Sequence, residues 1–474
     1  MYVKLLNLLK EWGIEGSGKV FGAAGRVARQ DIPGPKGHLL MGSLPDIQRD
    51  RLGFMVDLTK YGPVAKFRAG PAFYIQVSSP EGVQHILQLN NHNYDKKARG
   101  FEPLRDLIGN GLLLSDGDFW LKQRRLMQPV FHRQKIQAFV DMMGEETAAT
   151  LNRWERNAAS GEPLNIQQEM MRLTLSVITR ALFQERVGDE SGRVGKNLTI
   201  LLEDAIYRFD HPFYPGRSLP TPRNRRYHQA KAELYAVIDG LVEHRRGSVG
   251  EHSDLLDLLM LAEDEETGEG MSAEQLRYEL VTLFIAGHET TALALSWAFY
   301  LLAQHPEARH RLQAEAAQVL AGRIPTAADL ANLKYTRMVL EETMRLYPPA
   351  WLTNRRAIEA DEVEGYAIPA GAEMTVSPYA THHDASLWPE PFKFDPERFT
   401  PERSAGRHRY AYFPFGGGPR QCIGNNFALM EAQLILAAIN QQYCLDLAPG
   451  KPVEIEALIT LRPKDGPWMT VHRV

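Results

Sequence analysis

The chain reads as a mainly α-helical protein with a smaller β region. Three observations say so. From Pro80 to Leu320 apolar residues recur at helical spacing with few interruptions; after Leu346 short apolar runs alternate with turn residues; and glycine and proline are spread along the chain without a linker block. The expectation is one large domain over 1–474, with about 1–35 as a leader.

Taken in order, Asp31-Ile32-Pro33-Gly34-Pro35-Lys36-Gly37 is a turn-rich entry. Val64–Phe67 and Phe73–Val77, separated by Arg68-Ala69-Gly70-Pro71, form a predicted β-hairpin. Loops are expected at about Gly100–Gly117, Asp210–Arg223 and Glu263–Gly270 within the helical region. Ser272-Ala273-Glu274-Gln275 is a capping box, opening a helix that runs to about Gln304, where Pro306 stops it. That helix is unusually long for a globular protein and apolar on most faces from Leu280 to Leu302, so it should cross the core. Short strands follow around Arg355–Ala357 and Gly365–Val376. A helix free of glycine and proline spans Asn425 to Tyr443, and a last strand pair ends near Val471.

With 44% hydrophobic and 24% charged residues, the composition is that of an ordinary globular protein. A formal net charge of −4 offers no basic field, so nucleic acid is not an expected partner. The two cysteines, Cys422 and Cys444, exclude a disulfide framework and favour a reducing compartment. Met1–Trp12 falls far short of the ~20 apolar residues that span a bilayer. The expected location is cytoplasmic and soluble, with at most weak peripheral membrane contact.

The most informative segment is Phe415-Gly416-Gly417-Gly418-Pro419-Arg420-Gln421-Cys422-Ile423-Gly424. It offers one cysteine on a glycine-rich loop just before a helix, with an arginine two residues earlier. A helix N-terminus and a cation both favour thiolate over thiol. Glycines let backbone approach a flat cofactor and turn N–H groups toward the sulfur. An axial thiolate on haem iron needs these features. The plain alternatives are a buried cysteine used as a small hydrophobe, or a phosphate cradle; the second lacks the Gly-Lys-Ser/Thr ending of a Walker loop.

This segment resembles the haem-binding loop of the cytochrome P-450 family, Phe-x-x-Gly-x-Arg-x-Cys-x-Gly, at every fixed position. The resemblance implies the family's fold: a triangular helical prism, with haem b between the long central helix and the helix after the cysteine loop. It implies Cys422 as axial ligand to iron, with Phe415 and Arg420 beside the cofactor.

Other motifs fall in the family's order. Mid-helix Gly287 and the Thr290-Thr291 pair lower helix propensity inside an apolar helix, and Thr290 can back-bond to the carbonyl of Ala286. A kink made for packing would explain this equally well. Ala286-Gly287-His288-Glu289-Thr290-Thr291 resembles the family's distal motif, which implies that Gly287 leaves room for dioxygen while Glu289 and Thr290 manage proton delivery. His288 fills a variable position, where a polar-face role is expected before an iron ligand. Glu342 and Arg345, three apart on one helix face, mean little alone. With Arg398 they resemble the family's buried structural triad. Trp120 and Arg124 lie on one helical face, and arginine suits the forked pairing that propionates offer. By resemblance Trp120, Arg124, Arg420 and Arg355 bind propionates, with adjacent Arg356 competing for the last place.

The resemblance covers roughly 110 to 430 and implies a monooxygenase inserting one atom of dioxygen into a hydrophobic small molecule, by hydroxylation or epoxidation of a fatty acid, terpenoid or similar. No fused reductase is visible, so electrons are expected from a separate ferredoxin or flavodoxin with an NAD(P)H-dependent reductase. Lys122, Arg125, Arg407 and Arg409 could form the dock for such a partner, or be solvated charge. The protein is expected to be a monomer. Cavity positions by analogy are Phe101–Leu113, Leu201–Phe213, Leu283, Phe284, Pro349–Leu352 and Ile459, and Phe209–Pro215 resembles a mobile lid. The overall likeness leans to the fatty-acid-hydroxylating, eukaryotic-like branch more than the camphor-type branch. Two rivals are a peroxide-driven peroxygenase, which the Glu289-Thr290 pair argues against, and a haem-thiolate gas sensor, which would usually carry an output domain.

Overall fold

The central helix starts where its cap predicts. In the computed structural model, which describes residues 31–184, 188–211 and 214–474, Ser272 accepts from Gln275 N while the Gln275 side chain takes Ser272 N. The leader up to Gln30, and Pro212-Phe213 of the expected lid, lie outside the described residues.

Ten helices matter to the site: α1 Glu102–Ile108, α2 Gly117–Met127, α3 Val140–Ser160, α4 Ile166–Phe183, α5 Gly188–Asp210, α6 Pro222–Arg245, α7 Ala273–Gln304, α8 Pro306–Leu320, α9 Lys334–Leu346 and α10 Asn425–Gln442. α1 occupies part of the stretch Gly100–Gly117 that was expected to be a loop. It is one of the shortest of the ten, starts with Pro at N1/N2 and ends at Gly109, whose φ is +55°. Seven residues carry too little periodicity to stand out from turn signals on both sides.

α7 is the core element. Leu280, Val281, Phe284, Leu293, Leu295, Trp297 and Phe299 are all buried, and each such side chain contributes about 1.5–3 kcal/mol of hydrophobic stabilisation. Trp297 stacks on Tyr347 at 4.2 Å, and Thr174 of α4 donates to His288 O at 2.9 Å, fixing two neighbours against α7.

The predicted hairpin forms as β1 (Val64–Ala69) and β2 (Ala72–Val77), antiparallel from Val64↔Val77 to Ala69↔Ala72. With β3 (Tyr94–Asp95), β5 (Thr353–Ala357) and β8 (Glu373–Val376) it builds a five-stranded sheet ordered β1-β2-β8-β5-β3. β4 (Leu164–Asn165), β9 (Tyr443–Leu447) and β12 (Trp468–Arg473) form a second sheet with β12 central. Two hairpins, β6 (Asp361–Val363) with β7 (Tyr366–Ile368) and β10 (Glu454–Ala457) with β11 (Leu461–Lys464), complete the β region. Among the described residues no helix is long and apolar enough to cross a membrane.

Candidate functional site

The loop carrying Cys422 closes on itself, with Cys422 N donating to Phe415 O at 3.0 Å, and α10 begins three residues later. Gly418 is required here: its φ is +65°, and a Cβ would lie 1.9 Å from Leu87 O. The Cys422 side chain has accessible surface, yet burial is the largest influence on its thiol and pushes the pKa up; the Gly424 N–H and the Arg124 guanidinium act the other way. Ala286 is likewise exposed in the middle of otherwise buried α7, and α7 packs on α10.

The cations near this loop are out of balance. Arg420 donates to Asp116 Oδ1 (2.7 Å) and Ser115 O (2.9 Å), and lies 4.3 Å over the Trp120 ring. Arg355 is buried and donates to Thr353 Oγ1 and Asn354 O, with no ion pair among the described residues. Burial, with Arg420 nearby, pushes its pKa down to about 10. Lys96 is buried as well, its ammonium 4.4 Å from the Phe101 ring; burial first, then Arg355 and Arg420, hold its pKa well below the usual lysine range. Three cations thus share one carboxylate, Asp116, whose own pKa burial raises. Two negative charges are missing from this corner, and the two propionates of haem b would supply them. The residues present therefore fit the cofactor.

Arg356, the competitor of Arg355, is taken by Asp95 at 2.6 Å. Arg124 donates to Gln421 O at 2.9 Å, beside Cys422. Lys96 was missed in the sequence because Lys96-Lys97 reads as surface charge; only the fold buries the first of them.

On α7, Thr290 Oγ1 donates to Ala286 O at 2.8 Å, the expected back-bond. Its two neighbours in the motif each have a contact of their own. The empty side of Gly287 faces Ile178 of α4: a Cβ would lie 3.0 Å from Ile178 Cγ1 and Cδ1, so the glycine permits close helix packing at this point. Glu289 Oε1 accepts from Thr460 at 2.7 Å, so the carboxylate is held by the chain before β11. His288 is buried with Nδ1 2.6 Å from Phe284 O.

Glu342 and Arg345 form a fully buried fork, Arg345 Nε to Oε2 at 2.7 Å and Nη2 to Oε1 at 2.8 Å. Arg345 also donates to His382 O, Pro391 O and Lys393 O, tying down the segment before the cysteine loop. Arg398 Nε stands 3.4 Å from Glu342 Oε1, close enough for charge pairing without a hydrogen bond. Burial raises the Glu342 pKa and Arg345 opposes it; removing either partner of such a pair costs about 3–5 kcal/mol.

Two of the four cations of the expected dock are paired with carboxylates of the protein itself. Lys122 pairs with Glu269 (2.6 Å), Arg125 with Asp264 (2.9 Å) and Glu266 (2.6 Å), and Arg407 lies 4.3 Å over Trp388. Of the four, Arg409 is the exposed one. Glu431 of α10 went unnoticed in the sequence: it is 1% exposed, neither carboxylate oxygen has a hydrogen-bond partner among the described residues, and burial holds its pKa well above the usual range, with nearby Thr291 opposing. Of the expected cavity positions, Leu107, Ile108, Leu201 and Phe284 are packed in the core.

A sequence model described as Cytochrome P450 matches residues 32–467. The cyclooctat-9-en-7-ol 5-monooxygenase of Streptomyces melanosporofaciens is 38% identical over 87% of this chain and 88% of its own. Cyclooctatin synthase of the same organism is 37% identical over 88% and 91%. A crystal structure of the cytochrome P450DA heme domain superposes with a TM-score of 0.86 at 29% identity, covering 94% of this chain and 98% of that one. Fold, loop and charge imbalance describe a haem-thiolate oxidoreductase. The chain belongs to the cytochrome P450 family, whose members use haem b to incorporate oxygen into organic substrates.

Proposed function

We propose that this protein oxidises a cyclic terpenoid or its alcohol at one carbon. The observation that carries the reading is the pair of relatives at 38% and 37% identity, one named for an oxidation of cyclooctat-9-en-7-ol and the other for making cyclooctatin. A hydrocarbon ring system also suits the apolar character of α7 around Ala286.

When bound, haem b supplies the reductive activation of dioxygen and the transfer of one oxygen atom to carbon. Cys422 would hold the iron; a thiol whose pKa burial raises needs the metal's positive charge to stay ionised. Lys96, Arg355, Arg420 and Trp120 would hold the propionates, with Arg124 supporting the loop at Gln421 and Phe415 packing beside it. Thr290 Oγ1 would carry the proton to the oxygen side, swinging from the Ala286 carbonyl it occupies at rest. Glu289 would replenish that proton from its place on Thr460. Electrons would come from a separate ferredoxin or flavodoxin and its reductase.

The test is incubation of the haem-loaded protein with cyclic terpenes and their alcohols, NADPH and a surrogate ferredoxin with its reductase, under isotopically labelled dioxygen. One labelled oxygen atom in a terpenoid product is expected. Turnover of fatty acids with no binding or conversion of any terpenoid would overturn the reading.

A further inference from the structure

Glu279 has no part in the chemistry above, yet it is a fully buried carboxyl on the central helix. Its Oε2 accepts from Leu112 N at 3.0 Å, while Oε1 is enclosed with no hydrogen-bond partner among the described residues. Helix periodicity aligns it with the open positions of α7: Ala286 lies seven residues on and Thr290 eleven, about two and three turns along the same face, ~10 Å and ~16 Å away.

The segment it holds joins α1 to α2 and lies directly on α7. A Cβ on Gly109 would fall 2.4 Å from the Tyr278 ring, and one on Gly111 would fall 2.6 Å from Thr282 Oγ1. Backbone contact this close brings Leu112 N within reach of Glu279. Farther on, the same segment supplies Ser115 O and Asp116 to Arg420, beside the cysteine loop. One end is thus tied to the cofactor corner by bonds from both Arg420 and the Lys96 N–H. The other is tied to α7 through a single carboxyl.

We propose that Glu279 is a positioning residue for the substrate pocket, latching the Gly109–Leu113 segment onto α7 while protonated and releasing it on ionisation. The role in substrate binding rests on reading the Ala286 face as the substrate side, but the latch itself does not. Released, the segment would open the distal end of that face, carrying with it Leu113, which is already 40% exposed.

The physical cause is the unpartnered oxygen. Burial pushes the Glu279 pKa up from 4.5 to about 7, with only the Leu112 N–H opposing. Charged groups on neighbouring elements are engaged elsewhere. Asp106 of α1 is bonded by Tyr227 and Lys231, Arg105 donates to Lys96 O, and Tyr235 of α6 donates to Leu107 O. Asp239 of α6 takes Arg277, Lys122 of α2 takes Glu269, and Glu169, Arg172 and Arg180 of α4 pair with one another or with α3. Before α7, Asp254 pairs with Arg245, and Asp257 accepts from Gly250 N. An opened segment lets water reach the carboxyl and returns it to its ordinary value. The closed state therefore binds the proton more tightly. Closure is strongest below the ordinary carboxyl range, weakens by up to about tenfold per pH unit as pH rises toward about 7, and levels off above that.

The test is amide hydrogen exchange of the haem-loaded, substrate-free protein, read on peptides covering 109–116 and corrected for intrinsic rates. Between about pH 5.5 and about pH 7 the wild-type protection factor is expected to fall by up to about fifteenfold. Glu279→Gln keeps an acceptor for Leu112 and cannot ionise, so its protection should stay flat across that range. Glu279→Ala should be poorly protected throughout; if that variant fails to retain haem, the glutamine comparison decides alone. A wild-type protein with flat protection, or a glutamine variant that follows the wild-type slope, would overturn the proposal.

Discussion

Glu289 and Thr460 are joined by a 2.7 Å hydrogen bond, and this contact engages the acid of the central helix with the β region instead of with its neighbour Thr290. Thr290 bonds its own helix, to Ala286 O. The acid and the alcohol are adjacent in sequence, but successive residues on a helix point about 100° apart. Any cooperation between them runs through movement or water.

Thr460→Val removes the donor and leaves a buried carboxylate oxygen without it. The expected cost is about 1–3 kcal/mol of stability, read by denaturant unfolding of the haem-loaded protein. If Glu289 supplies protons from its position on Thr460, the same variant should also divert reducing equivalents to peroxide. The ratio of product formed to NAD(P)H consumed checks this, and an unchanged ratio would remove Thr460 from the proton route.

Gly287→Ala should cost about 1–3 kcal/mol by overpacking against Ile178. Adding Ile178→Ala should relieve part of that loss, so the two changes would couple in a double-mutant cycle of unfolding free energies. Strict additivity would mean that Gly287 does not serve helix packing.

Arg355→Leu should separate cofactor binding from folding. Without haem the buried guanidinium lacks an ion-pair partner among the described residues, so the apoprotein should be as stable as wild type or more so. With haem it loses charge-assisted bonds of about 1.5–3 kcal/mol, so haem transfer to an acceptor such as apomyoglobin should speed up by about tenfold or more. Arg356→Leu, which breaks the pair with Asp95, should show the opposite pattern: a less stable fold and little change in haem retention.

Much of this architecture was legible in the sequence because local rules and tertiary demands agree there. The Ser272 cap, the apolar run of α7 and the glycine loop before α10 each carry their own signal and each came out where expected. The Glu342–Arg345 fork was legible only through motif order, since such a spacing is common by chance. What stayed hidden depends on long-range placement. Lys96 becomes a cofactor-corner cation only because β3 pairs with β5 and brings it near Arg355. Thr460 meets Glu289 across 171 residues. The empty side of Gly287 could not be assigned before α4 was seen against it. Charges that looked available for a partner, Lys122 and Arg125, were answered by carboxylates far off in sequence.

The central claim is that the Cys422 sulfur binds haem iron, and the carbon-monoxide difference spectrum of the reduced protein tests it most directly. Wild type should show the strongly red-shifted Soret band of a thiolate ligand, and Cys422→Ser should lose that band while Cys444→Ser keeps it. A red-shifted band that survives in Cys422→Ser would contradict the account.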